Sequence, residues 1–422
     1  MEKKETKLLI ENAAQILTMR GDSNHDVGLI ENGSIYMVGD KIKAVGTKEE
    51  VAAVVGDAAD VKRIDATGKV ATPGFVDCHT HVVFGGSRVA EYSVKLTDSR
   101  PETLEKFGIP TGMNASVGMT KYLPVEELAA QTEKRMRNML INGTTTIESK
   151  SGYAFTMPGE MKMLEVNRLL SATLPMDIVP TFLGGHGWDE DMGKEKYLDY
   201  LCKEMIPQIA RFHMAAFNDV WCDEGNYTAA ESERILRAGM DHGLIPTIHA
   251  EAYSYIGGAD VAIDLKAASA GHLNYTPVEL FPKMRDAGVV GIVIATTDYV
   301  VQHQRPVNPR PMLDCGMDIA IATNCNPGCW VESMQFAMDL AARRHRISPA
   351  EAFRAATYGG AKALTLTDRG VLDVDKVADV LIFDVPVFQD VFYQHGVNHV
   401  ETVVKNGKVV VQDGRLVPQD EK

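Results

Sequence analysis

Gly74-Phe75-Val76-Asp77-Cys78-His79-Thr80-His81 is the stretch that decides how this 422-residue chain reads. A turn at Pro73-Gly74 opens a short apolar run, and two histidines one residue apart close it. Successive side chains on a strand point to opposite faces, so His79 and His81 share a side while Thr80 points away. Two imidazoles on one side form a chelating pair for a metal ion. A pair of surface histidines is the alternative from spacing alone, and the apolar, turn-initiated approach argues for a buried barrel strand instead.

Beyond that stretch, apolar runs alternate with helical ones. Eight candidate strands stand out: GFVDCHTH, TTTIESKSG, MDIVPTFLG, NDVWCDE, IPTIHAE, AASAGHL, VVGIVIATT and DIAIATN. Between the first two, residues 124–141 predict a helix that Gly143 closes. Strands alternating with helices imply parallel βα units. Eight of them predict an α/β fold, a (β/α)8 TIM-like barrel over residues 71–369. Residues 1–70 and 370–422 carry short alternating strands, with Asn406-Gly407 as a two-residue hairpin signal. The two ends are expected to form one small composite β-sandwich domain.

A hydrophobic fraction of 45% and a charged fraction of 24% are ordinary for a folded soluble protein. The net charge of −14 disfavours nucleic acid and anionic membrane as partners. No apolar run approaches the roughly 20 residues that span a bilayer, so the chain reads as cytoplasmic. Cys78, Cys202, Cys222, Cys315, Cys325 and Cys329 lack the close CxxC pairs of a structural zinc site and read as reduced thiols. Cys78, Cys325 and Cys329 lie beside candidate site residues and are read as buried and inert.

Barrel enzymes carry their chemistry on the C-terminal ends of the strands. Polar residues gather there: His79/His81, Glu148/Lys150, His186, Asp223/Glu224, His249/Glu251, His272, Thr296/Thr297 and Asn324. One strand-end histidine is weak evidence against a satisfied core residue, but three strands ending in histidine favour a site. Glu251, two residues beyond His249, is expected on the same side, as the partner of a metal ligand or as a proton carrier. At the eighth strand a divalent cation calls for a carboxylate that also takes a proton from its water. The chain has Asn324, and a neutral amide does both poorly. Arg88 follows the flexible Gly85-Gly86 pair and suits a bidentate contact with a substrate carboxylate, an ordinary ion-paired arginine being the alternative. Tyr153 and His186 follow the second and third strands, where loop residues overhang a barrel mouth and offer hydrogen bonds to a polar ring.

GFVDCHTHVVFGGSR, TTTIESKSGY, PTFLGGH, HAEAYSYIGGAD, SAGHL, NCNPGCWVESM, TYGGAKAL and GVLDVDKVADVLIFD followed by HGVNHV together resemble the amidohydrolase superfamily, most closely its imidazolonepropionases. The ESKSGY, NPG and GVNHV pieces are more specific than the HxH pair. The resemblance covers nearly the whole chain. It implies a barrel plus β-sandwich, a homodimer, and one zinc or iron ion, with manganese also accepted, held by His79, His81, His249 and position 324. It implies further that Arg88, Tyr153, His186 and Asn326 contact the substrate, with Arg88 on its propionate. His272 would stabilise the developing oxyanion or orient the attacking water. The implied reaction is metal-dependent hydrolysis of a ring amide, 4-imidazolone-5-propanoate to N-formimino-glutamate.

Three positions depart from that pattern. The family motif at the fifth strand reads like HADEF, whereas Ala252 stands here where the acid belongs and the only nearby acid is Glu251. KLTDSRPETLEKFGIP lacks the tyrosine that contacts substrate in the family. Asn324 replaces the acidic ligand. Catalysis is expected from His272, Glu251 and Asn324 on a small cyclic amide bearing a carboxylate, with a hydantoin- or lactam-like ring as the broader class. A heterocycle deaminase is the second reading, weakened by the offset of Glu251, and a catalytically silent binding homologue is the third.

Overall fold

The computed structural model describes residues 5–98 and 100–418. Eight strands form one parallel sheet in strict chain order: β1 (Phe75–Asp77), β2 (Thr144–Lys150), β3 (Asp177–Gly185), β4 (Phe217–Cys222), β5 (Ile245–Ala250), β6 (Ser269–His272), β7 (Val290–Val293) and β8 (Ile319–Ile321). These are the eight runs expected from the sequence. All seven residues of β2 are buried, as in a parallel strand covered on both faces. The helix expected over 124–141 runs over Val125–Ile141, and Gly143 follows it at φ 98° with its N–H bonded to the Leu140 carbonyl.

The ends of the sheet meet just beyond β1 and β8. Asn324 N–H donates to the His79 carbonyl at 3.0 Å, and His81 N–H donates to the Cys325 carbonyl at 2.9 Å. Below them the Asp77 carboxylate accepts from Thr323 N–H at 3.1 Å and from its hydroxyl at 2.6 Å. The barrel is thereby closed by the residues that carry the candidate site.

A helical stretch lies against this seam, and Gly359-Gly360 allows it to come that close. A Cβ on Gly359 would stand 2.0 Å from the Ile319 carbonyl oxygen of β8. A Cβ on Gly360 would stand 2.2 Å from the Val76 carbonyl oxygen of β1. Both clashes are with backbone, which cannot rotate away.

The two chain ends build a second, nine-stranded mixed sheet. Its strand Val70–Pro73 pairs with Lys7–Leu17 on one side and Val380–Phe383 on the other, then runs directly into β1. The small sheet thus reaches three residues past position 70. Ile10, Ile35, Ile42, Val380 and Val404, drawn from both ends, share one buried apolar cluster. The Asn406-Gly407 turn joins Val400–Lys405 to Lys408–Gln412, with both turn residues at positive φ as a tight hairpin requires. Residues 1–4 and 419–422, part of the domain expected from the sequence, lie outside the described residues. Among the described residues no helix is long and apolar enough to cross a membrane.

Gly360→Ala is expected to destabilise the protein by about 1–3 kcal/mol, because backbone must shift to admit the methyl group. Chemical denaturation measures it, and an unchanged midpoint would show that the seam has slack.

Candidate metal centre and active site

At the mouth of the barrel the His79, His81 and His249 rings converge. His249 Nε2 lies 3.0 Å from His79 Nε2 and 3.2 Å from His81 Nε2, and all three residues are buried. Among the described residues this is the one group of histidine, cysteine and acidic side chains with ligand atoms mutually within 4.8 Å. Burial, with Lys150 and neighbouring histidines, pushes His79 well below the usual imidazole range. Burial, with His186 and His249, does the same to His81. Three ring nitrogens on buried, neutral imidazoles converge here closely enough to share one ion. The donor set therefore fits a metal ion.

Asn324 follows β8 at φ 49°, in the left-handed region that asparagine tolerates better than most residues. Its Nδ2 donates to the Thr297 hydroxyl at 2.7 Å. Its Oδ1 is buried with no hydrogen-bond partner among the described residues. An orphaned carbonyl oxygen is what a fourth, neutral ligand would supply, and buried polar atoms rarely stay unpaired without such a reason.

Behind His249 lies a buried chain of charges whose central member, Asp219, sequence reasoning missed. Asp219 Oδ2 stands 3.0 Å from His249 Nδ1 and 2.9 Å from Lys150 Nζ, and Lys150 reaches Glu148 Oε1 at 2.7 Å. Burial alone would raise Asp219, but His249 and Lys150 hold it below the usual carboxylate range. Burial works against the Lys150 charge, and Asp219 and Glu148 outweigh it, so its pKa is raised. The signal was present in NDVWCDE: an acid inside an apolar strand is almost never buried without a partner. A carboxylate on the far nitrogen of a ligand histidine fixes its tautomer and strengthens it as a donor.

His272 is buried close by, its ring centroid 5.4 Å from that of His249 and 5.7 Å from that of His79. Burial, then His249, depresses its pKa well below normal. It ends β6 at φ 76°, a conformation few histidines adopt and one that concentrates at functional sites. His186 stacks on His81 at 4.8 Å, and Tyr153 lies 5.4 Å from His186. Burial pushes His186 down to about 3. Its Nδ1 is 3.1 Å from the Gly152 carbonyl, which only accepts, so the ring proton sits on Nδ1 and Nε2 is left as an acceptor.

His81, His249, His272, Asn324, Tyr153 and His186 line one cavity of about 910 Å³, with Arg88 farther out. Arg88 is bidentate to Glu91, Nε to Oε2 at 2.6 Å and Nη2 to Oε1 at 2.7 Å. Asn326 borders the cavity too, and its side chain is hydrogen-bonded within the loop. Its Oδ1 accepts from Gly328 and Cys329 N–H, and its Nδ2 donates to the Asn324 carbonyl. These bonds shape the loop and use one of the two N–H groups on Nδ2.

The expectation for Glu251 is corrected. β5 ends at Ala250, Glu251 turns to φ 61°, and the alternation that would have kept it beside His249 stops. Its carboxylate accepts from the Thr276 hydroxyl and from Ala259 N–H at the start of helix Gly258–Leu265, outside the cavity. All six cysteines are free, and burial raises the thiols of Cys78, Cys325 and Cys329, the last to about 11, in line with the inert reading.

The amidohydrolase family model matches residues 70–410. The chain is 38% identical to the imidazolonepropionase of Brevibacillus brevis, over 96% of this chain and 98% of that one. It is 38% identical to the imidazolonepropionase of Geobacillus kaustophilus, over 97% and 99%. Among solved structures it is similar to a triazine hydrolase variant, with a TM-score of 0.75, 18% identity and coverage of 99% and 97%. It is also similar to a zinc-bound adenosine deaminase from Xanthomonas campestris, with a TM-score of 0.72, 18% identity and coverage of 98% and 95%. At that identity these two speak for the fold. The chain belongs to the amidohydrolase family, in the branch of the imidazolonepropionases that it resembles along nearly its whole length.

Proposed function

We propose that this hydrolase opens the ring of 4-imidazolone-5-propanoate, adding water across the amide C–N bond to give N-formimino-glutamate. The observation that carries this reading is a single cavity lined both by the histidine cluster and by Arg88, in a chain similar throughout to imidazolonepropionases. A substrate with a scissile ring amide and a carboxylate needs both.

His79, His81 and His249, with the Asn324 carbonyl oxygen, would hold one divalent ion, zinc or iron, with manganese also compatible with such donors. Bound there, the ion supplies water activation and polarises the ring carbonyl. The chain's own residues do the rest. Asp219, its carboxylate 3.0 Å from His249 Nδ1, favours the tautomer with the ring proton on that nitrogen and leaves Nε2 as the donor atom. Arg88 pairs with the propionate. His186 offers Nε2 to a ring N–H, and Tyr153 closes the wall beside it. His272, neutral through burial, donates to the oxygen where negative charge develops.

Among the described residues, the only carboxylate lining the cavity is Glu91, which Arg88 and Lys95 already hold. No free carboxylate among the described residues of the cavity stands ready to carry a proton from the water to the departing ring nitrogen, which favours slow turnover. That observation also supports a second reading, a homologue that retains the pocket but little of the rate. Deamination is disfavoured because Glu251 lies outside the cavity. A homodimeric assembly and a cytoplasmic setting belong to the same proposal.

Turnover of 4-imidazolone-5-propanoate by the zinc- or iron-loaded protein, followed by loss of substrate and appearance of N-formimino-glutamate, tests the reading. Arg88→Met is expected to raise KM about 10- to 100-fold, the value of a charge-assisted bidentate pair. A fully loaded protein that leaves this substrate untouched would contradict the proposal. Asn324→Asp is expected to tighten metal binding about tenfold or more in chelator competition, because a carboxylate replaces a neutral oxygen among the donors. Unchanged affinity would show that side chain 324 does not reach the metal.

A further inference from the structure

Arg88 is held from behind by a buried carboxylate. Glu91 is 2% exposed, and its two oxygens take Nε and Nη2 of Arg88, Lys95 Nζ at 2.5 Å and Gly112 N–H at 3.3 Å. Burial would raise this carboxyl, but Arg88 and Lys95 hold it at about 2, so it stays charged throughout any working range. The contact uses one edge of the planar guanidinium. The other edge, Nη1 with the second N–H of Nη2, is left for a partner.

The free edge also has a fixed direction. Arg88 Nη1 stands 3.0 Å from the place a Cβ would occupy on Gly328, in the NPG loop bordering the cavity. Any larger residue there would press on the guanidinium. Arg88 and Glu91 also border a second cavity of about 380 Å³, lined largely by apolar residues including Ile109, Ala115 and Met119. The two bonds to Glu91 hold the guanidinium in this orientation.

We propose that Glu91 and Gly328 are the positioning residues that set where the substrate carboxylate is held, Glu91 by occupying one edge of Arg88 and Gly328 by leaving space for the other. This inference rests on the reading of Arg88 as the carboxylate-binding residue. It assigns the carboxylate an end-on, two-point contact with Arg88, which fixes the distance from that carboxylate to the ring carbonyl. The ring is then delivered to the histidine cluster in one register.

A positioning role and a merely electrostatic one predict opposite results. Removing a negative charge beside Arg88 strengthens the attraction of Arg88 and Lys95 for an anion. If Glu91 only tuned charge, Glu91→Gln would lower KM and leave kcat unchanged. If it positions, kcat falls about tenfold or more while KM stays level or drops, because the substrate is held but misplaced relative to the reacting centre. The decisive comparison uses the metal-loaded enzyme with the propionate substrate and with the same ring lacking the carboxylate. Glu91→Gln and Gly328→Ala are each expected to reduce kcat for the first and leave turnover of the second unchanged. Equal losses on both substrates would mean a structural role, and a change confined to KM would mean an electrostatic one. Either result overturns the proposal. Arg88→Met separates it from the reading beneath it: if that variant handles both substrates as the parent does, the assignment of Arg88 fails and the positioning role fails with it.

Discussion

Two backbone hydrogen bonds, Asn324 N–H to the His79 carbonyl and His81 N–H to the Cys325 carbonyl, join the ends of the first and eighth barrel strands, and the rest of the site depends on that junction. Closing a barrel requires its outermost strands to meet in register. Here the register is set by residues whose side chains make up the candidate metal centre. A shift of one residue at the seam would turn His79 and His81 to the other face. Fold and chemistry are therefore specified by the same contact, and the Gly359-Gly360 pair lets a helix cover it from outside.

Beneath the seam, charge is managed by pairing. Lys150, Asp219 and Glu148 are all within 2% of full burial, and each would be untenable alone. Linked to one another and to His249, they form a rigid support for one ligand ring. Removing one partner of such a set costs about 3–5 kcal/mol, which ties the orientation of His249 to the stability of the barrel. The open end of the cavity is organised differently. Arg88 and Glu91 sit on a segment after β1 whose ion pairs, Arg88–Glu91 and Lys95–Glu91, lie within the segment itself, and there specificity is set by the direction of one guanidinium.

Much of this was legible in the sequence because it rests on local periodicity. The eight apolar runs and the Asn406-Gly407 hairpin are consequences of two-residue alternation or turn chemistry, while His79 and His81 both reach His249 although β1 stops at Asp77. Where alternation ends, the reading fails. Glu251 was expected beside His249 because a strand was assumed to continue. The strand stops at Ala250, and a left-handed residue sends the carboxylate to Thr276 and Ala259 instead. Asp219 went unread for the opposite reason: its role is defined by Lys150 and His249, which reach it from other strands. Asn326 carries the right kind of side chain in the right loop, and hydrogen bonds within that loop fix how it is presented. Asn324 was recognisable as an anomaly, and the structure adds that its carbonyl oxygen is buried and unpaired while its amide is tied to Thr297.

The central claim is a metal centre whose protein donors are all neutral: three imidazoles and one carboxamide oxygen. X-ray absorption spectroscopy of the zinc-loaded protein tests it most directly, because it counts imidazole ligands and identifies the oxygen donors without depending on turnover. Three imidazoles are expected, with a change in the oxygen donor when position 324 is made acidic. A metal shell with fewer than three imidazoles, or one that already contains a carboxylate in the unaltered chain, would contradict it.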